Sequence, residues 1–412
     1  MINRLINQFF IFGCLVLIVL VSCRDYQNRT TRVIAIPLQG FPQDKGYKLG
    51  VSALYCGHLD SILFIAGGAN FPDVSAVEGG RKKYYSSVYA AKYITGAFTG
   101  KHYSDSLSWN FIGELPEPAA YGASVQTPEG LLFLGGRNDA KVLDGVYMLN
   151  LINDTLRIDT FPTLPNPRFG LTAVLLKHKI YVLGGKIQRN GELKQTSSLI
   201  SLDLKKIDKG WTYESDFPYS LVNQAVLSVD NNANENSLFL MGWFASPTAD
   251  SKPLVSSQAW KYDISTKKWG PIATPTTIAG DTICFGGGVS YSFDGTIYCS
   301  SGVNRIRFYE ALMLEYYKLK FTLNSSKYTL DSISNLQSEY MSHAPEWYHF
   351  NSCILAYNIE RNKWEDVLQS PFVSRAGAGV IALEDGFVLV NGELKPGLRT
   401  PTITFFKFLN KE

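Results

Sequence analysis

The chain has 412 residues, 45% of them apolar and 18% charged, with a formal net charge of +3. That length accommodates one large or two ordinary domains with a sizeable core. The weak charge, with no basic stripe interleaved with aromatics, excludes a nucleic-acid-binding protein.

The first segment reads as a targeting signal. Arg4 supplies a positive n-region and Phe9–Val21 an apolar run too short to span a bilayer comfortably. It ends Leu20-Val21-Ser22-Cys23, which resembles the lipobox of bacterial lipoproteins. The expectation is a signal peptide over residues 1–22, lipidation at Cys23, and a polar tether over 23–31. This places the protein in the periplasm or at the cell surface, held to a bacterial membrane through its lipid only. Cys14 leaves with the signal. Cys56, Cys284, Cys299 and Cys353 each sit in or beside an apolar run, which predicts buried thiols although an exported compartment permits disulfides. No cysteine pair has CxxC spacing and the five histidines are scattered, so no metal site or cofactor is predicted.

From residue 33 onward one pattern recurs: a strand of small residues, a tight turn, an apolar strand closing on glycine, a variable loop, then two more strands, the last often bearing Trp. The closing glycines are Gly68, Gly136, Gly185, Gly242, Gly302 and Gly392. The shortest spacing, Gly136 to Gly185, is near the roughly 50 residues of a kelch unit, and the excess elsewhere falls in the loops after the glycines. Six units of about four strands predict an all-β fold, a six-bladed kelch-type β-propeller over residues 32–412. The sixth unit has only three strands before the chain stops. Arg32-Val33-Ile34-Ala35-Ile36-Pro37 is expected to supply the fourth and so remove an open edge.

Residues 303–350 interrupt the fifth unit. Tyr309–Lys318 and Leu330–Met341 suit helices, and a loop of roughly fifty residues on a compact scaffold is usually functional. The expectation is a helical, lid-like insertion in the fifth blade. In the sixth unit the apolar strand Gly386–Val390 leads into Asn391-Gly392-Glu393-Leu394-Lys395-Pro396-Gly397-Leu398-Arg399-Thr400. The Pro396-Gly397 turn folds this loop back, bringing Glu393 and Arg399 together. By itself such a pair reads either as an ion pair tying the loop base or as a functional site at the end of a rigid sheet.

The Asn391–Thr400 stretch resembles the signature loop of bacterial N-acetylneuraminate mutarotases, also called epimerases. Gly302-Val303-Asn304, Glu346, Tyr348–Tyr357, Arg81–Ser86 and Ala120–Val125 resemble further family segments. The resemblance spans almost the whole mature chain but in shifted order, as in a cyclically permuted branch. It implies an isomerase acting on sialic acid or a related sugar acid, with Glu393 as base. Arg399 would bind the substrate carboxylate or stabilise oxyanion character, the two roles standing open. Asn304, Arg168 and Arg81 are expected as substrate contacts. One departure is Ala119-Ala120-Tyr121, where family members can carry an arginine. The competing reading is a non-catalytic kelch module binding a glycan or a protein partner. A copper radical oxidase would need clustered Tyr and His ligands that the five histidines do not supply.

Overall fold

The computed structural model describes residues 32–94, 106–153, 155–219, 225–229, 236–322 and 327–409. The expected signal, Cys23 and tether lie outside them. The architecture is mostly β, with two α-helices among the described residues. Its main body is six four-stranded antiparallel sheets. Each begins with a short inner strand: Tyr55–Leu59, Ala123–Thr127, Thr172–Leu176, Val226–Val229, Gly288–Phe293 and Gly379–Leu383. Each inner strand packs against the inner strand of the next sheet, and Gly379–Leu383 packs back against Tyr55–Leu59.

The residue pattern explains the stacking. Strand side chains alternate between faces. In Ile62–Ala66, Leu63 and Ile65 join the core shared with the sixth sheet, while Phe64 and Ala66 join the core shared with the second. The same division recurs around the molecule, so each neighbouring pair of sheets has its own apolar cluster. Both faces of every sheet are therefore buried, which explains continuous apolar runs such as Leu238-Phe239-Leu240-Met241. Each fully buried Leu, Val or Phe contributes about 1.5–3 kcal/mol. The inner strands tolerate less bulk. A Cβ at Gly379 would come within 2.6 Å of Cys56 Sγ.

The sixth sheet joins the two ends of the described chain. Arg32–Leu38 pairs with Ile403–Leu409, from Arg32 opposite Leu409 to Leu38 opposite Ile403. Cys56, Cys284, Cys299 and Cys353 are free and buried. A cavity of about 570 Å³ runs between the inner strands and is lined by residues of all six, among them His58, Gln126, Thr172, Ser228, Ser292 and Gly379.

Because each sheet runs up and down in chain order, every loop joining its second and third strands leaves from one end. In the fifth sheet that loop carries helix α1 (Arg305–Phe321), helix α2 (Lys327–Ser342) and a 3-10 turn at Pro345–Tyr348. Asn304 starts α1: its side-chain oxygen accepts from the backbone N–H groups of Ile306 and Arg307. Phe308 and Leu312 of α1 pack on Phe244, Val255 and Cys284, and α2 reaches the turn Ala76–Glu78 of the first sheet.

Candidate functional site

The loop of the sixth sheet lies at this same end. Glu393–Lys395 and Leu398–Arg399 form a small hairpin in which Glu393 pairs with Arg399. Gly397, at φ +84°, takes the left-handed turn position between them. The expected approach of the two side chains is closed by a charge-assisted hydrogen bond: Arg399 Nη1 donates to Glu393 Oε1 at 2.7 Å. The Gly397 N–H donates to the same oxygen at 2.8 Å. Among the described residues Glu393 Oε2 has no hydrogen-bond partner. The Arg399 side chain is 3% exposed and that of Glu393 26%. Arg399 Nε donates to Ser52 Oγ at 3.1 Å, across the junction with the first sheet, and its guanidinium lies 5.1 Å from the Phe71 ring centroid.

Two further contacts hold the hairpin. Lys395 Nζ donates to the carbonyls of Met341 and His343, at 3.1 and 2.7 Å, fastening it to the end of α2. Arg375 Nη1 donates to the carbonyls of Asn391 and Thr402, at 2.9 and 3.0 Å, and so braces both stems of the loop. Burial lowers the Arg375 guanidinium to about 10, which leaves it charged at neutral pH. Tyr348, fully buried within the insertion, donates to the Tyr340 carbonyl. Burial first, then the nearby Glu393 charge, raises its phenol, so it keeps its proton.

The residue after four of the closing glycines marks an equivalent station on this end of the molecule. Glu393 bridges Ala376, Arg137 bridges Ala120, Lys186 pairs with Phe169, and Ala69 bridges Ser52. The sixth sheet therefore offers a carboxylate where the second and third offer cations. Arg137 stacks on Phe169, 5.0 Å from its centroid. Burial lowers the Lys186 ammonium, opposed by the charge of Glu315 on α1.

The other residues singled out from sequence have separate surroundings. Arg168 is buried between sheets, its Nη1 donating to the Gly184 carbonyl at 3.4 Å and its Nε without a partner among the described residues. Burial lowers it to about 10. Asn304 is engaged at the start of α1. Arg81 is an exposed side chain facing Asp139 at 3.6 Å. Its neighbour Lys82 turns inward: Nζ donates to Tyr121 Oη at 2.9 Å and lies 5.7 Å from the Phe71 centroid and 5.0 Å from that of Tyr121. Sequence reasoning missed Arg137, Lys186, Lys82 and Arg375. For the first two, the shared position after Gly136 and Gly185 was the available signal. For Arg375, it was the likeness of Ser374-Arg375-Ala376-Gly377 to Pro167-Arg168-Phe169-Gly170. No group of three or more metal-ligating side chains occurs among the described residues.

A family model described as "N-acetylneuraminate epimerase" matches residues 161–412. Curated proteins named N-acetylneuraminate epimerase include one from Vibrio vulnificus (strain YJ016), 25% identical over 60% of this chain and 59% of its own length. Another, from Yersinia pestis (strain Pestoides F), is 27% identical over 53% of each. The chain thus spans a little over half the length of the curated relatives it matches. A solved chain described as "Structure of YjhT" aligns at 22% identity with a TM-score of 0.49, covering 61% of this chain and 67% of that one.

Proposed function

The chain belongs to the N-acetylneuraminate epimerase family, and on that premise we propose that it is a sialic acid mutarotase, interconverting the α- and β-anomers of N-acetylneuraminate by acid–base ring opening. The observation that carries this reading is the asymmetric setting of Glu393. One carboxylate oxygen is held by Arg399 and the Gly397 N–H, and the other has no partner among the described residues. A base positioned in this way typically contributes about 10²- to 10⁴-fold in rate.

In the reaction, Glu393 Oε2 takes the proton of the anomeric hydroxyl as the bond from the anomeric carbon to the ring oxygen breaks. The ring oxygen takes a proton from solvent at the open end of the site. Rotation of the resulting ketone and reversal of these transfers close the ring on the other face. Arg399 fixes the direction of Oε2 by holding Oε1. Asn304 sets the start of α1. The six sheets are the blades of a closed kelch-type propeller in cyclically permuted order, and residues 303–350 form a lid over its active end. Support comes from the circuit of inner-strand contacts and the clasp of Lys395 on α2. Residues 1–22 serve as a lipoprotein signal and Cys23 as the lipid anchor, with 23–31 as tether, which places the enzyme in the periplasm or at the surface of a bacterial membrane.

Proton NMR of freshly released α-N-acetylneuraminate, with and without protein, tests the activity. Faster appearance of the β-anomer is expected, and a rate equal to the spontaneous one overturns the proposal. Glu393→Gln is expected to bind the sugar and lose about 10²- to 10⁴-fold of the acceleration. A variant that bound sugar in a protein whose wild type gave no acceleration would indicate a non-catalytic glycan-binding module instead.

A further inference from the structure

N-acetylneuraminate, a 2-keto sugar acid, brings a carboxylate bonded directly to the anomeric carbon, whose hydroxyl meets Glu393. That carboxylate needs a cation close to Glu393 that is not already satisfied. Arg399 fits this poorly. Its Nη1 is on Glu393, its Nε is on Ser52, and its side chain is almost wholly buried. Arg375 is committed to two loop carbonyls, and Arg81 is exposed opposite Asp139.

Lys82 differs from all three. Its ammonium lies over the same Phe71 ring that carries the Arg399 guanidinium, at 5.7 and 5.1 Å from the one centroid. Its hydrogen bond goes to a hydroxyl rather than a carboxylate, Tyr121 Oη. An ammonium has three donors, so two remain beyond that bond, and Lys82 forms no ion pair with a carboxylate among the described residues. The side chain is half-buried, which strengthens a charge-assisted bond relative to an exposed one. Phe71 and Tyr121 wall the ammonium on two sides and Tyr121 Oη fixes it, so the site is ordered before any ligand arrives.

We infer that Lys82, held by Tyr121 and Phe71, is the residue that binds the substrate carboxylate and selects sugar acids over neutral sugars, with Arg399 confined to orienting Glu393. This assignment rests on the mutarotase reading for the identity of the substrate. It resolves the two roles open to Arg399 in favour of positioning.

The test compares N-acetylneuraminate with its methyl ester, which keeps the anomeric centre and removes the charge. In the wild type, kcat/KM by NMR exchange is expected to favour the acid. In Lys82→Met that preference is expected to collapse, with the acid losing about 10- to 100-fold as a charged hydrogen bond is removed and the ester changing little. Lys82→Arg is expected to restore part of it. An equal loss for acid and ester overturns the inference, because a merely structural lysine would affect both. A binding arm separates this from failure of the mutarotase reading itself. Calorimetric titration with 2-deoxy-2,3-didehydro-N-acetylneuraminate and its methyl ester requires no turnover. A wild type that binds the anion and a Lys82→Met that binds acid and ester alike support the carboxylate site even where no anomer exchange is found. Unchanged preference in the variant overturns it.

Discussion

Glu393 and Arg399 act as one unit, and substitutions at Arg399 test which property of the guanidinium matters. Lysine keeps the charge but cannot reach Glu393 Oε1 and Ser52 Oγ from two fixed nitrogens. Arg399→Lys is therefore expected to lower kcat by about 10²-fold, the scale of a 1 Å misplacement of a reacting group, while KM for N-acetylneuraminate stays near the wild-type value. Steady-state exchange NMR reads both. Arg375 lies one step further from Glu393, on the stems of its loop. Arg375→Ala leaves the Asn391 carbonyl without its donor, at roughly 1–3 kcal/mol for a buried group left unpaired, while the Thr402 carbonyl keeps the Asn391 N–H at 3.0 Å. A lower urea midpoint is expected together with lower activity. The meeting of Glu393 and Arg399 was legible beforehand, because Pro396-Gly397 dictates a turn between them. The choice between Arg81 and Lys82 was not. Adjacent residues in extended chain face opposite ways, and only the pairing of Lys83 with Asn70 decides which of the two turns toward Phe71.

At the scale of elements, the insertion is held to the Glu393–Arg399 hairpin at a charged point. Lys395 Nζ caps two carbonyls at the end of α2, where the helix dipole also favours a cation. Lys395→Met is expected to speed hydrogen exchange in the last turn of α2 while leaving exchange in Gly386–Val390 unchanged. Equal protection of α2 in both proteins would show that apolar contacts alone hold it. The helices themselves were readable from the Tyr309–Lys318 and Leu330–Met341 runs. Their attachment was not, since it depends on carbonyls that every residue has and on a lysine distant in the chain. The repeats were legible for a simpler reason. Apolar strands closing on glycine recur because each sheet buries both faces and turns at the same end. The fourth unit, with Met241-Gly242, departs from that pattern and still forms its sheet, because Met241 is buried in the core it shares with the fifth.

For the whole molecule, enclosure of the strands sets the chemistry of its thiols. Burial pushes Cys56 up to about 12 and Cys284 and Cys353 up to about 11, and it raises Cys299 as well. Thiolate is the nucleophile, so these four residues are expected to resist iodoacetamide at pH 8 in the native protein and to react fully in guanidinium, as intact mass measures. The sign of the stability effect follows. A thiol whose folded value is raised favours the folded state at every pH below its unfolded value of about 8.5. That contribution is lost as pH climbs from about 8.5 toward 11–12, so the denaturation midpoint is expected to fall across that alkaline range.

Pairing Arg32–Leu38 with Ile403–Leu409 also determines when folding is complete. The sixth sheet cannot acquire its outer strand until Ile403–Leu409 has left the ribosome, and the core between the sixth and first sheets waits on the same event. Contacts so distant in sequence close slowly. The first sheet therefore spends synthesis with the face it turns to the sixth unshielded, in a form that a chaperone can still hold as an open chain.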